Sequence, residues 1–80
     1  MSAKLKQDIS IGDNLREMRV NAKLTQEQVS ARLETLGIPM SREIVSQMEL
    51  GHYSIRISVL IALKQIYKVS YEDFFKNLTL

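Results

Sequence analysis

Eighty residues of ordinary soluble composition, 45% hydrophobic and 25% charged, can hold one small core without an appended catalytic domain, and they exclude a disordered tail, a collagen-like chain and a membrane protein. The 11 basic and 9 acidic groups leave a formal charge of +2, a mild basicity compatible with nucleic acid but shared by many soluble proteins. With no cysteine and one histidine there is neither a disulfide nor a zinc cage, so burial must hold the chain together and no cofactor or metal is expected.

The longest apolar run, Val59 to Leu63, falls far short of the ~20 residues a spanning helix needs, and the first residues lack a signal peptide's apolar stretch; a cytoplasmic setting without a membrane partner is expected. Gly and Pro are sparse and no repeat or linker interrupts the chain, which makes helix the default and strands unexpected. The chain 1–80 reads as one domain, with a flexible arm over 1–9 and a core from about 10 to 78.

In chain order, Ile11, Leu15, Met18 and Ala22 recur at helical spacing and predict helix 1 over 10–23, capped by Ser10. Thr25 opens T-Q-E-Q, a capping box in which its oxygen takes an amide three residues on while Gln28 reaches back, so a second helix starts there. Its stripe of Val29, Leu33 and Leu36 runs to Gly37, and Pro39 disfavours helix at Ile38, placing a break at 37–40. Ser41 caps a third helix, about 41–50, which faces inward with Ile44, Val45 and Met48 and stops at Gly51. Its outer face carries Arg42, Glu43, Ser46, Gln47 and Leu50. After an irregular stretch from His52 to Arg56, a fourth stripe comprises Val59, Leu60, Leu63, Ile66 and Tyr67. Ser70 caps a fifth helix that packs through Phe74, Phe75 and Leu78. The expected fold class is all-α, a compact bundle of five short helices.

Catalytic chemistry finds no purchase in these residues. A nucleophile with a base, paired carboxylates in a cleft or a metal cage is missing, and His52 stands alone in a turn. Glu72 and Asp73 diverge on a helix and sit in its first turn, where the macrodipole favours them. The three glycines match neither a P-loop nor a dinucleotide fingerprint. No enzyme is expected.

The informative segment runs from Leu24 to Gly51. Two helices lie back to back across a short break, and the second exposes Arg, Glu, Ser and Gln, side chains able to bond base edges directionally. A helix-turn-helix fits this pattern, and so does a two-helix hairpin whose polar face is simply wet. The L-T-Q at 24–26, the I-V-S-Q-M-E-L-G at 44–51 and the V-S-Y-E-D-F-F at 69–75 stand in order at nearly the spacing of the Cro/repressor-type, or XRE, helix-turn-helix domain. Over about Ile11 to Phe75 the chain resembles that family, which implies a lambda-repressor-like bundle with helices 2 and 3 forming the helix-turn-helix. Departures are the extra residues in E-T-L-G-I-P-M-S, which resemble a longer-turn subgroup, Ser30 where a small alanine is usual, and Lys23 where glycine commonly sets a left-handed turn.

The resemblance implies sequence-specific binding of double-stranded DNA. It directs the first turn of helix 3 into the major groove, with Arg42, Glu43, Ser46 and Gln47 toward base edges and the capping Ser41 beside them. Arg42 can donate two bonds to guanine, Gln47 can pair with adenine and Glu43 can accept from cytosine; Glu43 can equally serve the helix dipole or pair with Arg42. Thr25 and Gln26 match positions that meet the phosphate backbone, and His52, Tyr53 and Ser54 could contact the opposing backbone, with packing inward the alternative for Tyr53. Arg19 and Glu49 match a family pair that forms a shielded ion pair between helices 1 and 3. Residues 41–57 carry two basic and two acidic groups, so one copy should neutralise few phosphates. A homodimer on a pseudo-palindromic operator is therefore expected, with Tyr71, Phe75, Leu78 and Leu80 available either to the dimer contact or to the core. The expected role is a transcriptional regulator, a repressor in the first instance; the alternative is a protein-interaction module, such as an antitoxin or a partner of another regulator, using the same fold.

Overall fold

A computed structural model describes residues 4–5 and 9–80. Among these the chain runs β1 (Lys4–Leu5), α1 (Gly12–Asn21), α2 (Gln26–Thr35), α3 (Arg42–Glu49), β2 (Ile55–Arg56), α4 (Ile57–Tyr67) and α5 (Tyr71–Phe75). The expected five-helix, all-α bundle is present, consistent with a lambda-repressor-like fold. One correction concerns strands: β1 and β2 pair antiparallel, Lys4 opposite Arg56 and Leu5 opposite Ile55. A two-residue bridge is too short to leave an alternating pattern, which is why composition and periodicity missed it. The remainder of the arm expected over 1–9, apart from Ile9, lies outside the described residues.

The apolar stripes meet in one core. Ile11, Leu15 and Met18 from α1, Val29 and Leu33 from α2, and Val45 and Met48 from α3 close on Val59, Leu60, Leu63, Ile66 and Tyr67 of α4, with Phe74 of α5 completely buried. Each large side chain withdrawn from water in this way contributes about 1.5–3 kcal/mol.

The ends of the elements explain their lengths. The first residue of α1 is Gly12 rather than a residue beside Ser10; Ile11 occupies the cap position, and the Ser10 hydroxyl accepts from the Gly12 amide at 2.9 Å. Glycine is required at that point because a Cβ on Gly12 would lie 2.3 Å from the Glu49 carbonyl oxygen, where α1 starts against the end of α3. Beyond α1, Lys23 adopts φ 58° and so takes the left-handed turn itself. The Thr25 box forms as expected: the Gln28 amide donates to Thr25 Oγ1 at 3.1 Å and the Thr25 amide donates to Gln28 Oε1 at 2.8 Å. At the other end of α2, Gly37 at φ +80° lets the Ile38 amide reach back to the Leu33 carbonyl and the Gly37 amide to that of Glu34, a Schellman closure. That closure turns Leu36 outward, 45% exposed, and Ile38 packs on the core; the expected inward role of Leu36 is corrected accordingly.

Phe75, available from the sequence either to the core or to an outside contact, is 47% exposed. In its place a polar residue does the joining: buried Asn14 donates through Nδ2 to the carbonyls of Phe74 and Lys76, both at 2.9 Å, tying α1 to the end of α5. Asp73 accepts the Ser70 amide at 2.9 Å, and this hydrogen bond holds its carboxyl below the usual carboxylate range. No described helix is long and apolar enough to cross a membrane.

Candidate nucleic-acid interface

The outward face of α3 is built by its two ends. At the N-terminus the Ser41 hydroxyl accepts the Ile44 amide at 3.2 Å, using an extended backbone that turns the chain sharply into the helix. At the C-terminus Gly51, at φ +77°, permits a second Schellman closure, with the His52 amide bonded to the Gln47 carbonyl at 2.9 Å. Val45 and Met48 are buried between these ends, which leaves Arg42, Glu43 and Gln47 exposed and Ser46 half-buried on the opposite side.

One buried charge anchors this rod. Glu49 accepts from Arg19 Nε at 2.7 Å and from Arg19 Nη2 at 3.0 Å, a bidentate pair with side-chain exposures of only 5% and 13%. Arg19 also donates to the Leu24 carbonyl, and Gln26 Nε2 donates to Glu49 Oε1 at 3.1 Å. The carboxylate thereby ties α3 to α1 and to the first turn of α2. Its hydrogen bond raises the Arg19 pKa above the ordinary value; burial opposes that shift and the Glu49 charge reinforces it. Nearby Tyr67 is pushed well above the ordinary tyrosine value, first by burial and then by the Glu49 charge.

The residues singled out from sequence fall into two groups. Thr25, Gln26 and Arg42 line one groove of about 520 Å³ together with Arg19, Leu24 and Glu27. Gln26 sits there with its side-chain amide turned onto Glu49, and the Thr25 hydroxyl serves the capping box. Tyr53 instead lines a separate cavity of about 540 Å³ with Ile44, Arg56 and the turn Gly37–Met40. His52 is exposed and Ser54 half-buried on the same link between α3 and β2. Arg42 Nη2 lies 3.8 Å from Glu43 Oε1, a loose, solvent-facing pair of little energetic weight.

Sequence reasoning assigned no task to Leu50, which extends the exposed face of α3 one turn beyond Gln47 and is 60% exposed. Its place on the outer face is legible in the helical spacing, and the structure bears it out. The bond from Gln26 to Glu49 is not legible in the sequence, because the two lie 23 residues apart.

The family profile described as helix-turn-helix matches residues 15–74, from the middle of α1 to α5. The chain belongs to the Cro/repressor-type helix-turn-helix family. Membership implies DNA binding, with DNA as the partner, and helix-turn-helix domains of this type are typically non-catalytic. Comparison with curated proteins and with solved structures gave no match. Within the helix-turn-helix domain, α2 and α3 are the two helices of the motif, and the turn between them is the stretch from Leu36 to Ser41.

Proposed function

We propose that this domain recognises specific sequences in double-stranded DNA by inserting α3 into the major groove, and that it acts as a cytoplasmic transcriptional regulator, a repressor that occupies an operator. The observation that carries this reading is the outward presentation of Arg42 and Gln47 on a helix capped at both ends and braced from behind by the Arg19–Glu49 pair. Arg42 would read guanine and Gln47 adenine, with Ser46 as a neutral neighbour and Glu43 facing cytosine. Leu50 adds an apolar end suited to a thymine methyl group. The start of α2, with Thr25 and Gln26, lies in a groove shared with Arg42 and supports a phosphate contact there. Ser41 adjoins that surface, and His52, Tyr53 and Ser54 would meet the backbone beyond the other end of α3.

Because residues 41–57 expose only Arg42, Glu43 and Arg56 as formal charges, Glu49 being buried against Arg19, two copies on a pseudo-palindrome would supply the affinity that one lacks. A protein-interaction module, such as an antitoxin or a regulator's partner, is the second reading, favoured by the small number of exposed charges there and by exposed Leu50 on the α3 face. Selection of duplexes from a random pool, followed by anisotropy titration at several salt concentrations, separates the two. A selected half-site with a negative log–log salt slope supports DNA recognition; no binding at low salt overturns it and leaves the protein-partner reading.

A further inference from the structure

Mid-helix serine is disfavoured relative to alanine, because its hydroxyl competes for nearby backbone groups. Ser30 occupies such a position on α2, where a small alanine is usual, yet its one hydroxyl proton is not spent on its own helix. Oγ donates to the carbonyl of Met40, ten residues further on. Met40 immediately precedes the Ser41 cap, so this bond joins the middle of α2 to the last peptide before α3 begins. The turn has few other directional restraints at that end. Ile38 and Met40 rest partly buried on the core, but Gly37–Met40 and Ile44 border the cavity of about 540 Å³, which leaves open space on one side of the turn. Apolar contact resists withdrawal from the core without fixing direction, whereas a hydrogen bond fixes both distance and angle.

We propose that Ser30 is a positioning residue that aims α3: through the Met40 carbonyl it sets where the first turn of α3, and hence Arg42, points. The inference rests on the reading of α3 as the DNA-contacting helix. It also accounts for the serine, since a hydroxyl in the middle of α2 reaches the far end of the path from α2 to α3.

The test uses the full chain and its Ser30→Ala and Ser30→Thr variants, titrated against the duplex selected by the wild type and against a scrambled duplex. Ser30→Ala is expected to lose about tenfold in affinity for the selected duplex, the scale of one misaligned bidentate base contact at Arg42. Scrambled-duplex affinity and salt slope should stay as they were, because the phosphate contacts are untouched. Ser30→Thr, which keeps the hydroxyl, should restore most of the preference. The melting temperature should barely move for Ser30→Ala, because the better helix propensity of alanine offsets the missing bond.

In the free protein, amide exchange at Ile44 and Val45, whose N–H groups bond to Ser41, should speed up in Ser30→Ala relative to Leu63 and Ile66 in α4. Unchanged discrimination with unchanged exchange overturns the proposal, as does an equal loss on both duplexes, which marks general loosening. If the wild type selects no sequence, it is the DNA reading that fails, and the exchange pattern by itself decides whether Ser30 holds the start of α3.

Discussion

Glu49 and Arg42 are charged residues on one helix with opposite tasks. Glu49 is buried and satisfied by three donors from Arg19 and Gln26, so removing its cation strands a carboxylate away from water. Arg19→Ala should therefore cost about 3 kcal/mol of folding stability by chemical denaturation. Arg42 is about half exposed and makes only a loose pair, so Arg42→Ala should leave the melting temperature nearly unchanged while abolishing preference for the selected duplex. Equal thermal effects of the two substitutions would contradict this division. Tyr67 supplies a pH dependence. Its folded pKa is raised, so the stabilisation it provides is complete below the unfolded value of 10.0 and is lost as pH rises toward the folded one. Stability should fall above about pH 10, Tyr67→Phe should flatten that fall, and ultraviolet titration should find one of the three tyrosines ionising last. The Arg19–Glu49 pairing could be anticipated from the family resemblance; the Gln26 and Tyr67 neighbours could not, because they join it only through packing.

At the scale of elements, the contact between α1 and α3 decides how the motif is presented. The start of α1 abuts the last carbonyls of α3 so closely that a methyl group on Gly12 would overlap backbone. Gly12→Ala should therefore destabilise the domain by about 2 kcal/mol or more and displace the end of α3, observable as a lower denaturation midpoint and shifted amide resonances from Met48 to Gly51. Retained stability with unshifted resonances would mean that the two helices can separate at little cost. The helices themselves were legible because caps and periodicity are local: Thr25, Ser41, Gly37 and Gly51 all act within a few residues of themselves. Leu36 lies outside the core because a helix stripe says which residues share a face but not where the final turn unwinds. The Ser10 hydroxyl serves the Gly12 amide because Ile11 is drawn into the core and fixes the entry of α1.

Across the whole molecule, the face proposed to read DNA exposes few formal charges, Arg42, Glu43 and Arg56, because Glu49 is buried against Arg19, and a single copy should bind DNA weakly. The C-terminal region leaves Tyr71, Phe75 and Leu80 exposed, while Leu78 packs partly on the core. Lys64 lies 5.1 Å from the centre of the Tyr71 ring, a cation–π contact that ties α5 to α4 and steadies this patch. If the patch joins two copies, Phe75→Glu should shift sedimentation from dimer to monomer and weaken binding to a two-half-site duplex, with little change at a single half-site. A wild type that sediments as a monomer at every concentration and binds both duplexes alike would remove this surface from the assembly.

By itself the sequence determined the helix count, most caps and breaks, the polar character of the α3 face and, through its three ordered motifs, the family. All of these depend on spacing along the chain and on the chemistry of near neighbours. Only the tertiary structure decided the β1–β2 bridge, the Asn14 tie to α5, the sharing of Glu49 between Arg19 and Gln26, and the reach of Ser30 to the turn before α3. Those contacts join residues distant in sequence, and their geometry exists only once the core has drawn the helices together.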